Sequence, residues 1–408
     1  MRRTVRDRNE ARPKPVQKIE LSGKRLGWRL LAVILLLAFG AASLGYAVMN
    51  LVSPSEGGWT EIRANAGGPN CSGDFVFFYE VGAGGQSASS ETKALTALYT
   101  DLTETAWQLF SNAGDAGGVR YLNDHPGEIV EVDAALYRAF ERVEASGDRT
   151  LYLGPVAELY DNLFTCQDDV LAVDFDPLLN GELRAFFAEV AGFARDAEAV
   201  RVTLLGNNAV RLDVSEAYLA FAEREEIRDF IDFCWMRNAF IIDYLADELT
   251  ARGYTLGALS SYDGFARALD SRDGGSYAYE LYDRGALAGV MRYSGARSIV
   301  ALRGYPLSSI DGSRYYVRRD GEIRTAYLDP SDGLSRTAAA DLTAYSQRAG
   351  CAELLLRLAP VFVADSLDRD ALEQLAQDGI HSIICEDHVI RYTDPELVLS
   401  DVAEGYQS

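Results

Sequence analysis

The chain has 408 residues and carries 61 acidic side chains against 39 basic ones, a formal net charge of −22 at neutral pH. The imbalance grows beyond residue 29, because the first 29 residues hold ten Lys and Arg but three Asp and Glu, which leaves 29 basic against 58 acidic side chains. This charge excludes nucleic acid as a partner, since phosphate binding needs clustered Lys and Arg. A solvated acidic domain, kept soluble by charge repulsion, is the expectation.

The N-terminal region predicts a membrane anchor. Residues 1–29 form a basic tail, and the 23 residues at 30–52 carry no charge. A helix of that length, at about 1.5 Å rise per residue, covers the roughly 30 Å core of a bilayer. The positive-inside rule then places the tail in the cytoplasm and everything after Val52 outside the cell membrane. A cleaved signal peptide is the alternative, although its apolar region is normally about 7–15 residues long.

The pattern after residue 52 predicts a flexible tether and then one folded domain. Residues 53–73 are rich in Gly, Ser and Pro, which is typical of a linker, and no second linker divides residues 74–408. Helical and strand-like periodicity occur in separate runs, which favours an α+β fold. Strands are predicted at 74–81, within 200–213 with a turn at 206–208, repeatedly from 256 to 327, at 382–385 and at 389–392. Helices are predicted at 92–111, 130–145, 181–199, after an N-cap at Ser215, after Asp243 as far as Gly253, and at 349–363.

One segment carries the strongest functional signal. Residues 231–243 read I-D-F-C-W-M-R-N-A-F-I-I-D. They resemble the pattern L-D-x-G-G-I-x-K-G-Y-x-x-D of the ApbE family, the FAD:protein FMN transferases. Asp232 and Asp243 keep the frame of that pattern, and Phe240 stands where the family has Tyr.

Four other stretches resemble this family in its own order along the chain. Gly117–Asn123 is similar to S-E-I-x-x-L-N, and Leu153–Tyr160 to T-V-G-P-L-x-x-L-W. Ala326–Gly333 is similar to H-I-I-D-P-x-T-G, and the stretch 342–362 to the segment that supplies metal ligands in the family. Each match alone is ordinary turn or helix chemistry, and their joint order carries the resemblance.

The family's flavin-contacting positions are replaced. Its first glycine pair falls on Cys234 and Trp235, and its lysine falls on Asn238. Its second glycine pair falls on Tyr262 and Asp263, where close approach of backbone and flavin needs glycine. A large side chain at such a position either fills the pocket or stacks on a different ligand, and filling is the favoured interpretation.

The metal positions are replaced as well. The family's Asp falls on Cys351 and its Thr on Leu355. The His of the H-I-I-D-P-x-T-G motif falls on Ala326, whereas its Asp is retained as Asp329. Magnesium prefers hard oxygen ligands, which a thiol and an isobutyl group do not provide. The metal ligands of this chain, if there are any, are therefore unknown.

The resemblance implies FAD and Mg²⁺ as cofactors and FMN transfer to a Thr or Ser of a flavoprotein or redox partner. The retained catalytic candidates are Asp243 and Asp329. By motif position, the cofactor-binding candidates are Asp232, Asn238, Phe240, Tyr262 and Asp263. Two hypotheses follow: an impaired or inactive FMN transferase, and a non-catalytic binding or assembly module that serves a membrane redox complex. Five cysteines allow at most two disulfides, whose pairing the sequence leaves open.

Overall fold

The computed structural model describes residues 57–114, 117–270, 272, 276–308, 311 and 313–407. The predicted cytoplasmic tail and membrane segment lie outside these residues. Among the residues that are described, no helix combines the length and the apolar character needed to cross a bilayer.

The described residues form an α+β domain, as predicted. Its strands are β1 (Gly58–Ile62), β2 (Phe75–Val81), β3 (Ile129–Glu131), β4 (Val200–Gly206), β5 (Ala209–Val214), β6 (Gly257–Ser261), β7 (Phe265–Ala268), β8 (Tyr277–Asp283), β9 (Ala286–Tyr293), β10 (Arg297–Arg303), β11 (Tyr315–Val317), β12 (Ile323–Thr325), β13 (Asp341–Ser346), β14 (His381–Glu386), β15 (Val389–Tyr392) and β16 (Val398–Ser400). Its α-helices are α1 (Ala88–Phe110), α2 (Val119–Asp124), α3 (Ala134–Ser146), α4 (Gly154–Phe164), α5 (Asp169–Ala172), α6 (Gly181–Arg195), α7 (Glu216–Glu225), α8 (Arg237–Ala251), α9 (Cys351–Phe362) and α10 (Arg369–Gln377). Single 3₁₀ turns occur at Ser72–Asp74, Thr150–Leu153 and Cys234–Met236.

An antiparallel sheet organises the domain. Its strand order is β1-β2-β6-β7-β10-β13-β14-β15, and smaller sheets have the orders β16-β9-β8, β3-β5-β4 and β11-β12. Side chains along β10 alternate between two cores, as strand geometry requires. Val300 and Leu302 point into the larger core with α8 and α9, whereas Ile299 points into a smaller core beneath β8, β9 and β16. The main sheet therefore has two buried faces.

Two predicted boundaries are wrong. Residues 58–62, which lie in the predicted tether, form the edge strand β1, whose partner is β2. The predicted helix at 130–145 begins only at 134, because Ile129–Glu131 pairs with β5 and Asp133 caps the helix by accepting a hydrogen bond from the backbone N–H of Ala135 (2.7 Å). In both cases pairing with a distant strand overrides the local composition.

The helix α4 begins where sequence patterns indicate only a turn. Gly154 and Pro155 are its first two residues, and proline is well suited to this position because its missing N–H has no partner in the first turn. A side chain at position 154 would collide with the backbone carbonyl of Asp229. This close contact holds α4 against the segment that leads into residues 231–243.

Candidate functional site

The motif segment enters the domain as an extended link and then turns sharply. The backbone N–H of Asp232 donates to the carbonyl of Leu151 (2.8 Å), which anchors the link. The Asp232 carboxylate accepts hydrogen bonds from the Asn112 side-chain amide (2.6 Å) and the backbone N–H of Cys234 (2.5 Å). Cys234 has φ = 52°, in the left-handed region that favours glycine, which is the family's residue at this position. Asp232 therefore caps a strained turn.

Asp232 also lines a small polar cleft of about 260 Å³. Three carboxylates and two guanidinium groups surround this polar cleft: Asp74, Asp161, Asp232, Arg237 and Arg314. Burial, reinforced by the neighbouring Asp232, raises the pKa of Asp161 to about 6. Arg237 lies 3.5 Å from Asp74, an ion pair that partly closes one side of the cleft. The polar cleft is therefore occupied largely by charges of the protein itself.

Trp235 separates the polar cleft from a second, more apolar cavity of about 380 Å³. It lines both spaces and is 4% exposed. Its ring packs edge-on against Tyr327, with ring centroids 5.0 Å apart. The indole N–H has no hydrogen-bond partner among the described residues. At this former glycine position a large side chain thus forms a wall between two cavities.

Asp243 is the most completely satisfied carboxylate among the predicted site residues. Its oxygens accept hydrogen bonds from the backbone N–H groups of Cys351 (2.8 Å) and Ala352 (3.1 Å), at the N-terminus of α9. Arg267 from β7 donates at 2.9 Å and Arg142 from α3 at 3.3 Å. Burial raises the pKa of Asp243, and Arg267 and the two backbone N–H groups oppose that shift. The carboxylate joins four elements and already accepts four hydrogen bonds.

The residues at the family's metal positions point into the protein. The Cys351 thiol lies within hydrogen-bonding distance of two carbonyl oxygens, those of Ala266 (3.3 Å) and Ile299 (3.7 Å), and can donate to one of them. Burial raises its pKa well above the usual range. Leu355 is fully buried in the larger core. Within the described part of the chain, no group of three or more His, Cys, Asp or Glu side chains is arranged to hold a metal ion. All five cysteines, which are all described, are unpaired.

The remaining candidates are dispersed. Asn238 and Phe240 are buried on α8, and Phe240 packs on Phe233 with ring centroids 4.7 Å apart. Asp263 pairs with Arg314 (2.7 Å), so it approaches the polar cleft from the β6–β7 turn. Tyr262 is 44% exposed and fills no pocket.

Asp329 stabilises its own turn. Its carboxylate accepts a hydrogen bond from the backbone N–H of Ser331 (2.7 Å) and lies 3.3 Å from Arg336. It also lines the apolar cavity beside Trp235. The structure therefore places Asp232 in the lining of the polar cleft and Asp263 behind it, paired with Arg314. Asp329 lines the apolar cavity, and Asp243 lies in a different centre.

The sequence did not indicate the arginines that pair with Asp263 beside the polar cleft and with Asp243. Arg314 reaches the polar cleft from the segment before β11, and Arg267 reaches Asp243 from β7. Neither lies in a recognisable motif. Asp161 was also missed, although it directly follows the stretch 153–160 that resembles the family.

Comparison with known proteins identifies the fold. No protein-family model and no curated protein sequence matches the chain. Among solved structures, the chain is similar to the ApbE protein from Thermotoga maritima, with a TM-score of 0.58 and 17% identity over 82% of this chain and 97% of that one. It is also similar to the flavin transferase ApbE from Vibrio cholerae, with a TM-score of 0.51 and 14% identity over 86% of this chain and 100% of that one. The chain therefore has the fold of the ApbE flavin transferases.

Proposed function

We propose that this protein is a membrane-anchored, extracytoplasmic domain of the ApbE fold that has lost FMN transfer and serves as a binding or assembly module for a membrane redox partner. The observation that carries the proposal is the Asp243 centre. Its carboxylate is held by two arginines and by the N-terminus of α9, in the region where the family resemblance leads one to expect a metal.

Magnesium does not fit the residues present. The ion needs several oxygen ligands at about 2.0–2.1 Å in octahedral geometry. The Cys351 thiol faces two backbone carbonyl groups inside the protein, and Leu355 is packed in the core. Arg267 already supplies positive charge to Asp243, so a divalent cation there would meet electrostatic repulsion.

A flavin does not fit well either. Pockets that hold cofactors are typically continuous spaces of about 300–1,000 Å³. The two spaces that Trp235 and Leu328 both line measure about 380 and 260 Å³, at the lower end of this range or below it. The buried indole of Trp235 occupies a position where the resemblance implies close approach of a flavin to a glycine. The Asn238 side chain, at the family's lysine position, is buried and brings no positive charge. We derive no catalytic step through FAD or Mg²⁺ for these reasons.

The test is a flavin-transfer assay on the purified full-length chain. The chain would be incubated with FAD, Mg²⁺ and an acceptor domain that carries an S-G-A-T sequence, beside an active ApbE enzyme as positive control. We expect no flavin fluorescence on the acceptor and a dissociation constant for FAD weaker than about micromolar. Acceptor labelling that disappears on chelation of the metal would overturn the proposal.

A variant extends the same assay. Cys351→Asp combined with Leu355→Thr restores the family's metal residues but leaves Trp235 in place. We expect this double variant to remain inactive, because the flavin contacts are still missing. Activity gained by these two changes would mean that the flavin site is intact and that only the metal was lost.

The anchoring part of the proposal rests on the uncharged stretch 30–52 after a basic tail. Protease added to intact cells, or to protoplasts if there is a wall, should remove the C-terminal domain and spare an N-terminal tag. Loss of the N-terminal tag instead would reverse the orientation. Release of the whole domain into the medium would favour a cleaved signal peptide.

A further inference from the structure

Arg303 is a buried arginine that forms no close ion pair with the residues that the structure describes. It is the last residue of β10 and is 8% exposed. Its Nε is buried and has no hydrogen-bond partner among the described residues. Its main chain, in contrast, is satisfied: the N–H donates to the Tyr327 hydroxyl (3.3 Å), and the carbonyl accepts from the Tyr315 hydroxyl (3.0 Å). Buried charges are normally paired, because desolvation without compensation costs several kcal/mol.

The nearest carboxylate on the neighbouring strand does not neutralise it. Asp341 faces Arg303 in the β10–β13 register, but its carboxyl is hydrogen-bonded by the Tyr305 hydroxyl. Burial raises the pKa of Asp341 to about 7, although Arg303 acts in the opposite direction. The two residues form no ion pair within the described structure. Burial opposes the charge of Arg303, but its pKa is raised overall by Tyr279, Tyr315, Tyr327 and the Asp311 carboxylate, which stabilise the charge from a distance. None of the described residues forms a hydrogen bond with its Nε, which leaves this donor to be satisfied by a ligand.

Arg303 lines a cleft of about 590 Å³ between β6–β7 of the main sheet and β8–β9 of the small sheet. This tyrosine cleft is lined by Tyr277, Tyr279 and Tyr293, and the rings of Tyr277 and Tyr293 stack at 5.5 Å with an interplanar angle of 19°. The Tyr277 hydroxyl lies near the Asp270 carboxylate, and burial and this carboxylate together raise the pKa of Tyr277. The cleft thus combines flat aromatic walls with the buried Nε of Arg303.

The other charged side chains of the tyrosine cleft already have partners. Arg292 pairs with Asp401 (3.0 Å), and Glu280 accepts a hydrogen bond from the Tyr282 hydroxyl. Arg303 shares its face of β10 with Ile299 in the smaller core, the face that points away from α8 and α9. Arg267, which pairs with Asp243 (2.9 Å), also lines the tyrosine cleft, so the cleft and the Asp243 centre are neighbours that share this residue.

We propose that the tyrosine cleft binds a small aromatic anion, whose carboxylate or phosphate pairs with Arg303 and whose ring packs against the tyrosines. A guanidinium is a planar fork that matches a carboxylate or a phosphate with two parallel hydrogen bonds. Aromatic rings pack favourably on one another in stacked or edge-on geometry. The volume is in the range of pockets that hold a small molecule.

The experiment measures binding of naphthoate and naphthyl phosphate to the full-length chain by calorimetry, with uncharged naphthamide as the matched probe. We expect at least one anion to bind and naphthamide to bind at least about tenfold more weakly, since a charge-assisted hydrogen bond is worth about that factor. Arg303→Gln should remove the preference for the anion. Arg357→Gln is the control, because Arg357 lies on α9 and does not line this cleft, and it should leave binding unchanged.

Stability distinguishes a ligand-binding arginine from a structural one. Because Arg303 forms no close ion pair with the described residues and its Nε is not hydrogen-bonded, Arg303→Gln should unfold at the same or a higher urea concentration than the parent chain. If Arg303→Gln does not fold, Arg303 is structural and the proposal fails. Arg303→Lys is a second test, because lysine keeps the positive charge but lacks the planar guanidinium that forms two parallel hydrogen bonds. This variant should bind the anion several-fold more weakly and should bind naphthamide as the parent chain does. Failure of both anions to bind, or equal binding of anion and naphthamide, overturns the proposal.

Discussion

Asp243 and Arg303 are both almost fully buried, yet their surroundings are opposite. Asp243 accepts four hydrogen bonds, two from arginines and two from the first turn of α9. Arg303 has a buried Nε without a partner among the described residues and faces a cleft. A charge paired on every side acts as a structural joint, whereas an unpaired charge beside open space leaves interaction energy for a ligand.

The difference follows from where the two residues lie. Asp243 is on α8, which packs against α9 and β7 inside the larger core. Arg303 ends a strand at the gap between two sheets, where backbone groups of the neighbouring strands are already paired. The comparison predicts that Asp243 contributes mainly to stability, and that a ligand binds at the tyrosine cleft.

The largest expected loss in the free energy of unfolding follows from a change at Asp243, the carboxylate that is paired. Asp243→Asn leaves Arg267 and the α9 N-terminus without their negative charge, and should lower the free energy of unfolding by about 3 kcal/mol or more. Urea denaturation of the full-length chain measures it. Asp247→Asn is the matched control: Asp247 also pairs with Arg267 (3.1 Å), but its side chain is 45% exposed. That control should cost less than about 1 kcal/mol, as exposed pairs do. Equal costs for the two variants would contradict a structural role specific to Asp243.

A change in the pH dependence of stability, expected to be of intermediate size, tests whether Arg303 and Asp341 form an ion pair. Asp341 has a folded-state pKa of about 7 against an ordinary value of 3.8, with burial as the main cause. A raised pKa means that its contribution to stability is complete below pH 4 and is lost as the pH rises toward 7. The slope is at most about 1.4 kcal/mol per pH unit for one group. Asp341→Asn should remove that part of the decline, as measured by urea titrations between pH 4 and 8.

Other carboxyl groups contribute to the same profile, so the comparison must be between parent and variant. Burial also raises the pKa of Asp161 and of Asp229 to about 6. The difference between the two curves isolates Asp341. If Asp341 and Arg303 formed an ion pair, the pKa of Asp341 would be depressed, and its stabilising contribution would instead appear as the pH rises from 2 to 4. That outcome would remove the basis for the tyrosine-cleft proposal.

The smallest expected change in stability compares the two arginines that pair with Asp243. Arg142 lies 3.3 Å from the carboxylate with a side chain that is 40% exposed, whereas Arg267 lies at 2.9 Å and is 26% exposed. Arg142→Gln should therefore cost about 1 kcal/mol or less, and Arg267→Gln clearly more. The urea midpoints of the two variants, at unchanged slope, provide the measurement. The reverse order would place the main counter-charge of Asp243 on α3.

Local sequence patterns predicted much of the fold. The hairpin at 200–213 was predicted with its turn at 206–208, and the structure has β4 and β5 there. Ser215 was predicted to cap a helix, and its hydroxyl accepts a hydrogen bond from the backbone N–H of Tyr218 (3.3 Å). These features depend on residues within a few positions of one another. Periodicity and capping chemistry are therefore sufficient to determine them.

Only the tertiary structure decided what the motif residues do. The sequence by itself determined that Asp243 is retained, that Cys234 and Trp235 replace glycines, and that Cys351 and Leu355 replace metal ligands. It could not show that Asp243 is held by groups about 100 residues away on both sides, or that Trp235 lines two cavities. Burial and charge pairing depend on contacts between distant parts of the chain. For the same reason, only the structure shows that the buried Nε of Arg303 has no hydrogen-bond partner among the described residues and that Arg303 lines a cleft between two sheets.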